Sequence, residues 1–275
     1  MWAARGTFIE CSYTVGQLCK VMSRPNKAAW NAAMHLIGYI YQTRHRGLWY
    51  SSDSNAIPIA MSDASNRSDP RDSKRSFGYV VCWMGGPILF TSRKLNHCSA
   101  ATAANEYMAL SMTAKHVVWL RQLFMEIGLE DTVKEPTIIY ADNQSANKWA
   151  NEEVITQGNM YILESYHFVK DMGSSGEGVL QVVHVPTKHN IADLFTKGVP
   201  PDTHKYLTGY LSGEEPLLTL LKNIKDMGGQ SNGQFPATRN IPYPEPGDFE
   251  YAERVRGALP RLARTQERAV TDPSS

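Results

Sequence analysis

The sequence has few cysteines, no long apolar run and almost no net charge, and each shortage argues against a class of protein. No apolar stretch approaches the roughly 18 residues that cross a bilayer, and the first ten residues do not form a secretory signal. A net charge of +1 gives no overall nucleic-acid signal. The four cysteines lack metal-ligand spacing and indicate buried thiols in a reducing compartment: Cys11, Cys19, Cys82 and Cys98. The sequence therefore predicts an intracellular, soluble protein that is neither secreted nor membrane-bound.

Two common enzyme motifs are also missing. The chain has neither a glycine-rich phosphate loop nor the nucleophile elbow of the α/β-hydrolases, which argues against a small-molecule α/β enzyme. Charge is unevenly distributed, since residues 1–50 carry six Lys and Arg side chains against the single acid Glu10. A local basic surface in this segment, able to contact phosphates, is one interpretation, and an ordinary solvated helix face is the other.

Hydrophobic periodicity predicts an α/β fold with a mixed five-stranded sheet flanked by helices. The N-terminal segment is predicted to be helical over 12–48, and a final helix is predicted to begin near Asn190. Strands are predicted at 57–62, 77–83, 88–92, 137–140 and 179–185, with further helices at 100–128, 144–151 and 162–172. Nine of the fifteen prolines lie between 200 and 273, which is typical of a disordered C-terminal tail. We expect a helical segment at 1–49, a main domain at 50–211 and the tail at 212–275.

Four carboxylates lie on separate predicted elements and have apolar neighbours: Asp63, Glu106, Asp142 and Asp193. Asp142 follows a short β-branched strand, and open α/β sheets bind ligands at this edge. Acids brought together repel one another unless cations compensate them, and Mg²⁺ prefers hard oxygen ligands. The alternative is that two or more of these acids are helix caps or surface residues.

Several longer motifs resemble the ribonuclease H domain of copia-type LTR-retrotransposon polyproteins. They are YADNQSA, ANEYMALSMTAKHVVWLRQLFMEIGL, SFGYVVCWMGGPILFTSRK and HVPTKHNIADLFTK, in the family's order and spacing. The segment from MSRPNKAAW to GLWY resembles the connection between that family's reverse transcriptase and its ribonuclease H. The similarity covers residues 22–211, and polymerase, integrase and protease motifs are absent, so the resemblance implies a C-terminal fragment of a polyprotein.

The resemblance implies a ribonuclease H-like fold and hydrolysis of the RNA strand of RNA–DNA hybrids with two divalent ions, Mg²⁺ or Mn²⁺. The residues that match the family's metal-binding acids are Asp63, Glu106, Asp142 and Asp193. His189 is implied as a proton carrier, although a solvated loop histidine is the ordinary alternative. Asn143, Gln144 and Ser145 are candidates for contact with the minor groove, where 2′-hydroxyls distinguish RNA from DNA, and capping explains Asn143 equally well.

The chain departs from the family pattern in two places. After the first acid the family reads Asp-Ala-Asp-Trp, whereas this chain has Ser65 and Asn66 at the last two positions. The family's His-Ile-Asp-Val-Arg is replaced by the sequence from Tyr161 to Ser165. The four acids are retained, so two alternatives stay open: an active nuclease of a transposon polyprotein, acting beside a reverse transcriptase in a cytoplasmic virus-like particle or the nucleus, or a decayed or domesticated nucleic-acid-binding relic.

Overall fold

The computed structural model describes six stretches of the chain, namely residues 2–51, 57–65, 75–95, 102–151, 163–173 and 176–226. The tail predicted beyond 226 and the departures at 66 and 161–162 lie outside the described residues.

A mixed sheet of five strands forms the centre of the structure, as the sequence predicts. The strands are β1 Ile59–Ala64, β2 Ser76–Trp83, β3 Gly86–Lys94, β4 Thr137–Ala141 and β5 Leu180–His184. Their order is β3-β2-β1-β4-β5. The first three strands form an antiparallel meander, whereas β4 pairs parallel with both β1 and β5. Met84 and Gly85 form the β2–β3 turn and both have positive φ, as a two-residue hairpin turn requires.

Helices cover both faces of this sheet. They are α1 Trp2–Arg5, α2 Ser12–Cys19, α3 Lys27–Gln42, α4 Thr102–Glu126, α5 Gln144–Asn151, α6 Leu163–Met172, α7 Pro201–Ser212 and α8 Leu217–Asp226. Among the described residues, none of the helices combines the length and the apolar character needed to cross a bilayer.

Each strand contributes to two hydrophobic cores because successive side chains point to opposite faces of the sheet. Ala60 and Ile139 pack with α4 on one face, while Met61, Ile138 and Tyr140 belong to the core on the other face. Both β1 and β4 are buried along their whole lengths, so the first half of β1 and most of β4 carry apolar residues on both faces.

The predicted final helix differs from the observed structure. Instead of one helix from Asn190, a short 3-10 helix spans Ile191–Phe195, and the α-helix α7 begins only at Pro201. Pro200 and Pro201 lack the backbone N–H that a continuing helix needs, whereas proline is accepted in the first turn of a new one. Asp193 therefore lies in a tight 3-10 turn.

The ordered chain also extends beyond residue 212, where the sequence analysis began the disordered tail. Helix α8 repeats apolar residues at helical spacing and buries four of them in the second core: Leu217, Leu220, Leu221 and Ile224. The number of prolines over 200–273 favoured a prediction of disorder, although this short stretch within it is amphipathic.

The N-terminal segment packs against the body through α2, which contacts β3 and the 3-10 helix. At its end, the Trp49 N–H donates to the Ser212 carbonyl at 2.7 Å, and the Ser51 N–H donates to the Met84 carbonyl at 2.8 Å. Gly213 has a φ of 78° and a Cβ there would lie 2.4 Å from the Trp49 carbonyl oxygen. Only glycine suits this position, because it needs a left-handed backbone and tolerates the close approach.

We predict that Leu220→Ala lowers the free energy of unfolding by about 2–5 kcal/mol, because it removes a fully buried side chain and leaves a cavity. Urea unfolding measures this. Thr219→Ala, on the exposed side of the same helix, should change stability little. Equal effects of the two substitutions would mean that α8 does not pack on the core.

Candidate metal centre

Three aspartates meet at one edge of the sheet. Asp63 lies near the end of β1, Asp142 follows β4 directly, and Asp193 lies in the 3-10 helix. One carboxylate oxygen from each lies within 4.8 Å of the others. Because β1 and β4 are parallel neighbours, their carboxyl ends lie at the same edge. Asp63 and Asp142 therefore approach each other as a direct consequence of strand order.

Asn190 fixes the turn that carries Asp193. Its Nδ2 donates to the Ser62 carbonyl oxygen at 3.0 Å, and its Oδ1 accepts from the Ala192 N–H at 3.1 Å. Asn190 is fully buried, so both hydrogen bonds form away from competing water. One side chain thus caps the 3-10 helix and ties it to β1.

Gly78 lets this turn approach the sheet closely. It pairs with Asp63 across β1 and β2. A Cβ at residue 78 would lie 2.4 Å from the Cβ of Phe195, two residues after Asp193. Any side chain at this position would push the 3-10 helix outward and move Asp193 with it.

Glu106 lies beside the three aspartates but outside their 4.8 Å group. Its position in the second turn of α4 is buried, and its Oε2 accepts a hydrogen bond of 2.8 Å from the Ala64 N–H. The backbone immediately after Asp63 therefore orients the fourth acid. Three of the predicted acids are brought within 4.8 Å of one another, and the fourth adjoins them.

Three polar side chains that the sequence did not identify as candidates contact these acids. Lys197 Nζ lies 2.8 Å from Asp193 Oδ1 and 3.8 Å from Asp63 Oδ2. The Thr196 hydroxyl donates to Asp63, and Thr187 Oγ1 donates to Asp142 Oδ2 at 2.9 Å. All three partners belong to the motif HVPTKHNIADLFTK, so their closeness to Asp193 in sequence was the available signal.

Burial and mutual repulsion make three of the carboxyl groups hard to ionise, namely those of Glu106, Asp193 and Asp63. Burial, followed by the charges of Asp63 and Asp142, raises the pKa of Glu106 to about 9. Burial and the charge of Asp63 likewise raise the pKa of Asp193. The pKa of Asp63 is raised by burial, although Lys197 opposes the shift. Burial disfavours the charged form of Lys197, but the carboxylates outweigh it, so that the pKa of Lys197 is raised.

His189 ends the short 3-10 helix Thr187–His189, on the chain segment between β5 and Asp193. Its ring is buried, and Nδ1 lies 2.7 Å from the Tyr206 hydroxyl. Burial, then the charge of Lys188, lowers the pKa of His189, which favours the neutral imidazole. Its proposed part in proton transfer stays a prediction.

The candidate nucleic-acid residues lie at the start of α5. Asn143 Oδ1 accepts from the Ala146 N–H at 3.0 Å, so Asn143 is a helix cap, as the capping interpretation requires. Gln144 and Ser145 are exposed beside Asp142. Contact of these three residues with nucleic acid stays a prediction.

The strand order and the position of the acids define the class of the fold. An antiparallel meander joined through β1 to two parallel strands, with helices on both faces, is a ribonuclease H-like arrangement. The fold class predicted from the sequence is therefore confirmed.

The relatives of the chain are polyproteins of transposable elements. It is 29% identical over 188 residues to the retrovirus-related Pol polyprotein from transposon RE2 of Arabidopsis thaliana, and 29% identical over 201 residues to that from transposon TNT 1-94 of Nicotiana tabacum. These matches cover 68% and 73% of the chain, but the chain spans only 13% and 15% of the relatives. The predicted resemblance to copia-type retrotransposon polyproteins is confirmed.

Two further comparisons add little. No protein-family model matches the chain. Among solved structures, LC11-RNase H1 in complex with an RNA/DNA hybrid is 17% identical and has a TM-score of 0.39, covering 50% of this chain and 93% of that one.

We predict that Gly78→Ala destabilises the protein by roughly 1–3 kcal/mol, because the added Cβ overlaps Phe195. It should also weaken any stabilisation by Mg²⁺, since Asp193 moves with Phe195. Thermal unfolding with and without Mg²⁺ measures both effects. Gly16→Ala is the matched control, since its Cβ would enter open space. An unchanged metal response in Gly78→Ala would contradict the proposed coupling.

A pH dependence follows from the raised pKa of Glu106. The folded protein holds this proton more tightly than the unfolded chain, so the free energy of unfolding should fall as pH rises from about 4.5 towards 9. Glu106→Gln mimics the protonated acid and should reduce that fall. Urea unfolding in EDTA at pH 5, 7 and 9 compares the two proteins. Parallel curves for wild type and variant would contradict the prediction.

Proposed function

We propose that this chain is a metal-dependent endonuclease that hydrolyses the RNA strand of RNA–DNA hybrids as part of a retrotransposon polyprotein. The observation that carries the proposal is the convergence of Asp63, Asp142 and Asp193, with carboxylate oxygens within 4.8 Å of one another. The relationship to transposon Pol polyproteins supports it.

The donor set suits Mg²⁺ or Mn²⁺. Carboxylate oxygens are the ligands that hard divalent cations prefer, and the cluster has more buried acid than Lys197 can neutralise. Asp63, Asp142 and Asp193 would hold the metal, and Glu106 would complete the site from α4. Two divalent ions, when bound, activate water and stabilise the leaving oxygen in phosphodiester hydrolysis.

The remaining residues act on the substrate and on protons in this proposal. Gln144 and Ser145 are exposed next to Asp142 and would contact the minor groove of the hybrid, with Asn143 presenting its backbone while its side chain caps α5. His189, whose lowered pKa favours the neutral ring, would accept or return a proton during water attack or product release.

A second candidate function is nucleic-acid binding without cleavage. It is favoured by Ser65, which stands where the family has an aspartate and whose hydroxyl accepts a hydrogen bond from the Ser76 N–H at 3.2 Å. That position has therefore lost an acid close to Asp63 and gained a structural contact. Cleavage of a labelled hybrid with Mg²⁺ separates the two functions, because the binding protein would retain the hybrid uncut.

The proposed setting is that of a transposon polyprotein. The nuclease would act beside a reverse transcriptase polymerase domain, inside a cytoplasmic virus-like particle or the nucleus. The hybrid would then be the product of that polymerase.

The proposal is tested by Asp142→Asn, which keeps the shape of the side chain but removes one charge and a strong metal ligand. We expect the wild type to cleave the hybrid and to gain about 2.7 kcal/mol of stability when Mg²⁺ is at 100 times its Kd. The variant should lose cleavage and most of this gain, while its stability in EDTA is unchanged or higher because repulsion is reduced. Gel assays and urea unfolding measure these effects.

Asp131→Asn is the matched control, since Asp131 is exposed and its described ion-pair partner is Lys134. It should cleave and bind metal like the wild type. Wild-type protein that binds but does not cut the hybrid would favour the second function. Intact cleavage in Asp142→Asn would show that Asp142 is only a structural residue.

A further inference from the structure

Lys197 contacts two acids of the cluster, one close to it in sequence and one on a distant strand. It lies four residues after Asp193 and reaches the Oδ1 of that residue at 2.8 Å. The same ammonium group lies 3.8 Å from Asp63 Oδ2, on a strand far earlier in the chain. Lys197 therefore bridges two of the three aspartates that would hold a metal.

The environment of Lys197 differs from that of its partners. The Asp63 and Asp193 side chains are 2% and 5% exposed, whereas that of Lys197 is 38% exposed. The carboxylates are fixed by β1 and by the turn that Asn190 ties to it. Lysine has a flexible four-carbon stem, so its ammonium group can reach water without disturbing the backbone. The acids are held in place, and the cation is the part able to leave.

A divalent ion bound by Asp63 and Asp193 would share with Lys197 the two carboxylates that the ammonium group faces. An ammonium group and a metal ion on the same pair of carboxylates would repel each other strongly in this poorly hydrated site. The two cations are therefore alternatives rather than partners.

We propose that Lys197 is the internal counter-ion of the metal-free site and competes with the divalent metal, leaving Asp63 and Asp193 when the metal binds. This inference rests on the proposed metal site and deepens it. Lys197 then offsets the charge of the carboxylates before metal arrives, and it weakens metal affinity by the amount that it stabilises the metal-free protein.

Lys197→Gln tests the competition because glutamine keeps most of the length but carries no charge. At one fixed pH, Mn²⁺ should bind the variant about tenfold more tightly than the wild type, as measured by calorimetry or by electron paramagnetic resonance of free Mn²⁺. In EDTA the variant should be less stable to urea by the equivalent of that factor, about 1.4 kcal/mol. In saturating Mn²⁺ the two proteins should be equally stable, since the lysine has left the site in the wild type.

Two variants serve as controls. Lys197→Arg keeps the positive charge and should return the Mn²⁺ affinity towards that of the wild type. Lys134→Gln removes a lysine from an exposed ion pair with Asp131 on another part of the surface and should not change Mn²⁺ affinity.

A purely structural ion pair gives a different result. If Lys197 stays on the carboxylates when metal is bound, Lys197→Gln should lose the same stability with and without Mn²⁺, at unchanged affinity, and the proposal is overturned. Absence of Mn²⁺ binding in both proteins also overturns it. Hybrid cleavage is a separate readout: competition without cleavage removes the nuclease function alone, and cleavage without competition removes this inference alone.

Discussion

Repulsion between carboxylates buried at one edge of a sheet is the constraint around which this structure is organised. Asp63, Asp142 and Asp193 approach one another closely, and burial together with neighbouring charge raises the pKa of Asp63 and of Asp193. An arrangement of this kind persists only where the surrounding structure over-determines it. Two apolar cores on opposite faces of the sheet supply the folding free energy that offsets this repulsion.

The acids are positioned by backbone geometry more than by one another. Parallel pairing of β1 and β4 places Asp63 and Asp142 at the same edge, whereas Asp193 arrives from a segment that belongs to neither strand. That segment is held by the Asn190 side chain and approaches because Gly78 offers no Cβ. Hydrogen bonds to Asp63, Asp142 and Glu106 then fix the direction of each carboxylate.

The sequence predicts those elements whose apolar residues recur with a regular period. Strand alternation and helical spacing located the five strands and most helices, and strand ends identified Asp63 and Asp142 as candidates. Lys197 and Thr196 were missed because a single polar residue has no period, and Thr196 meets Asp63 across 133 residues of sequence. Helix α8 was missed because its ten residues are a small part of residues 212–275, whose prolines and glycines are typical of a disordered tail.

The contacts of Trp49 limit where the chain can be truncated. The Trp49 carbonyl fills the space beside Gly213 that a methyl group would need, while the neighbouring N–H groups are bonded to the end of α7 and to the β2–β3 turn. The boundary that sequence suggests at residue 49 therefore coincides with a point where three parts of the chain are joined. A recombinant fragment starting at residue 50 would lack the Trp49 N–H and would leave the Ser212 carbonyl oxygen without that donor. A fragment that keeps the chain from α1 onward retains this junction, and it also retains Ile9, which is fully buried in the second core.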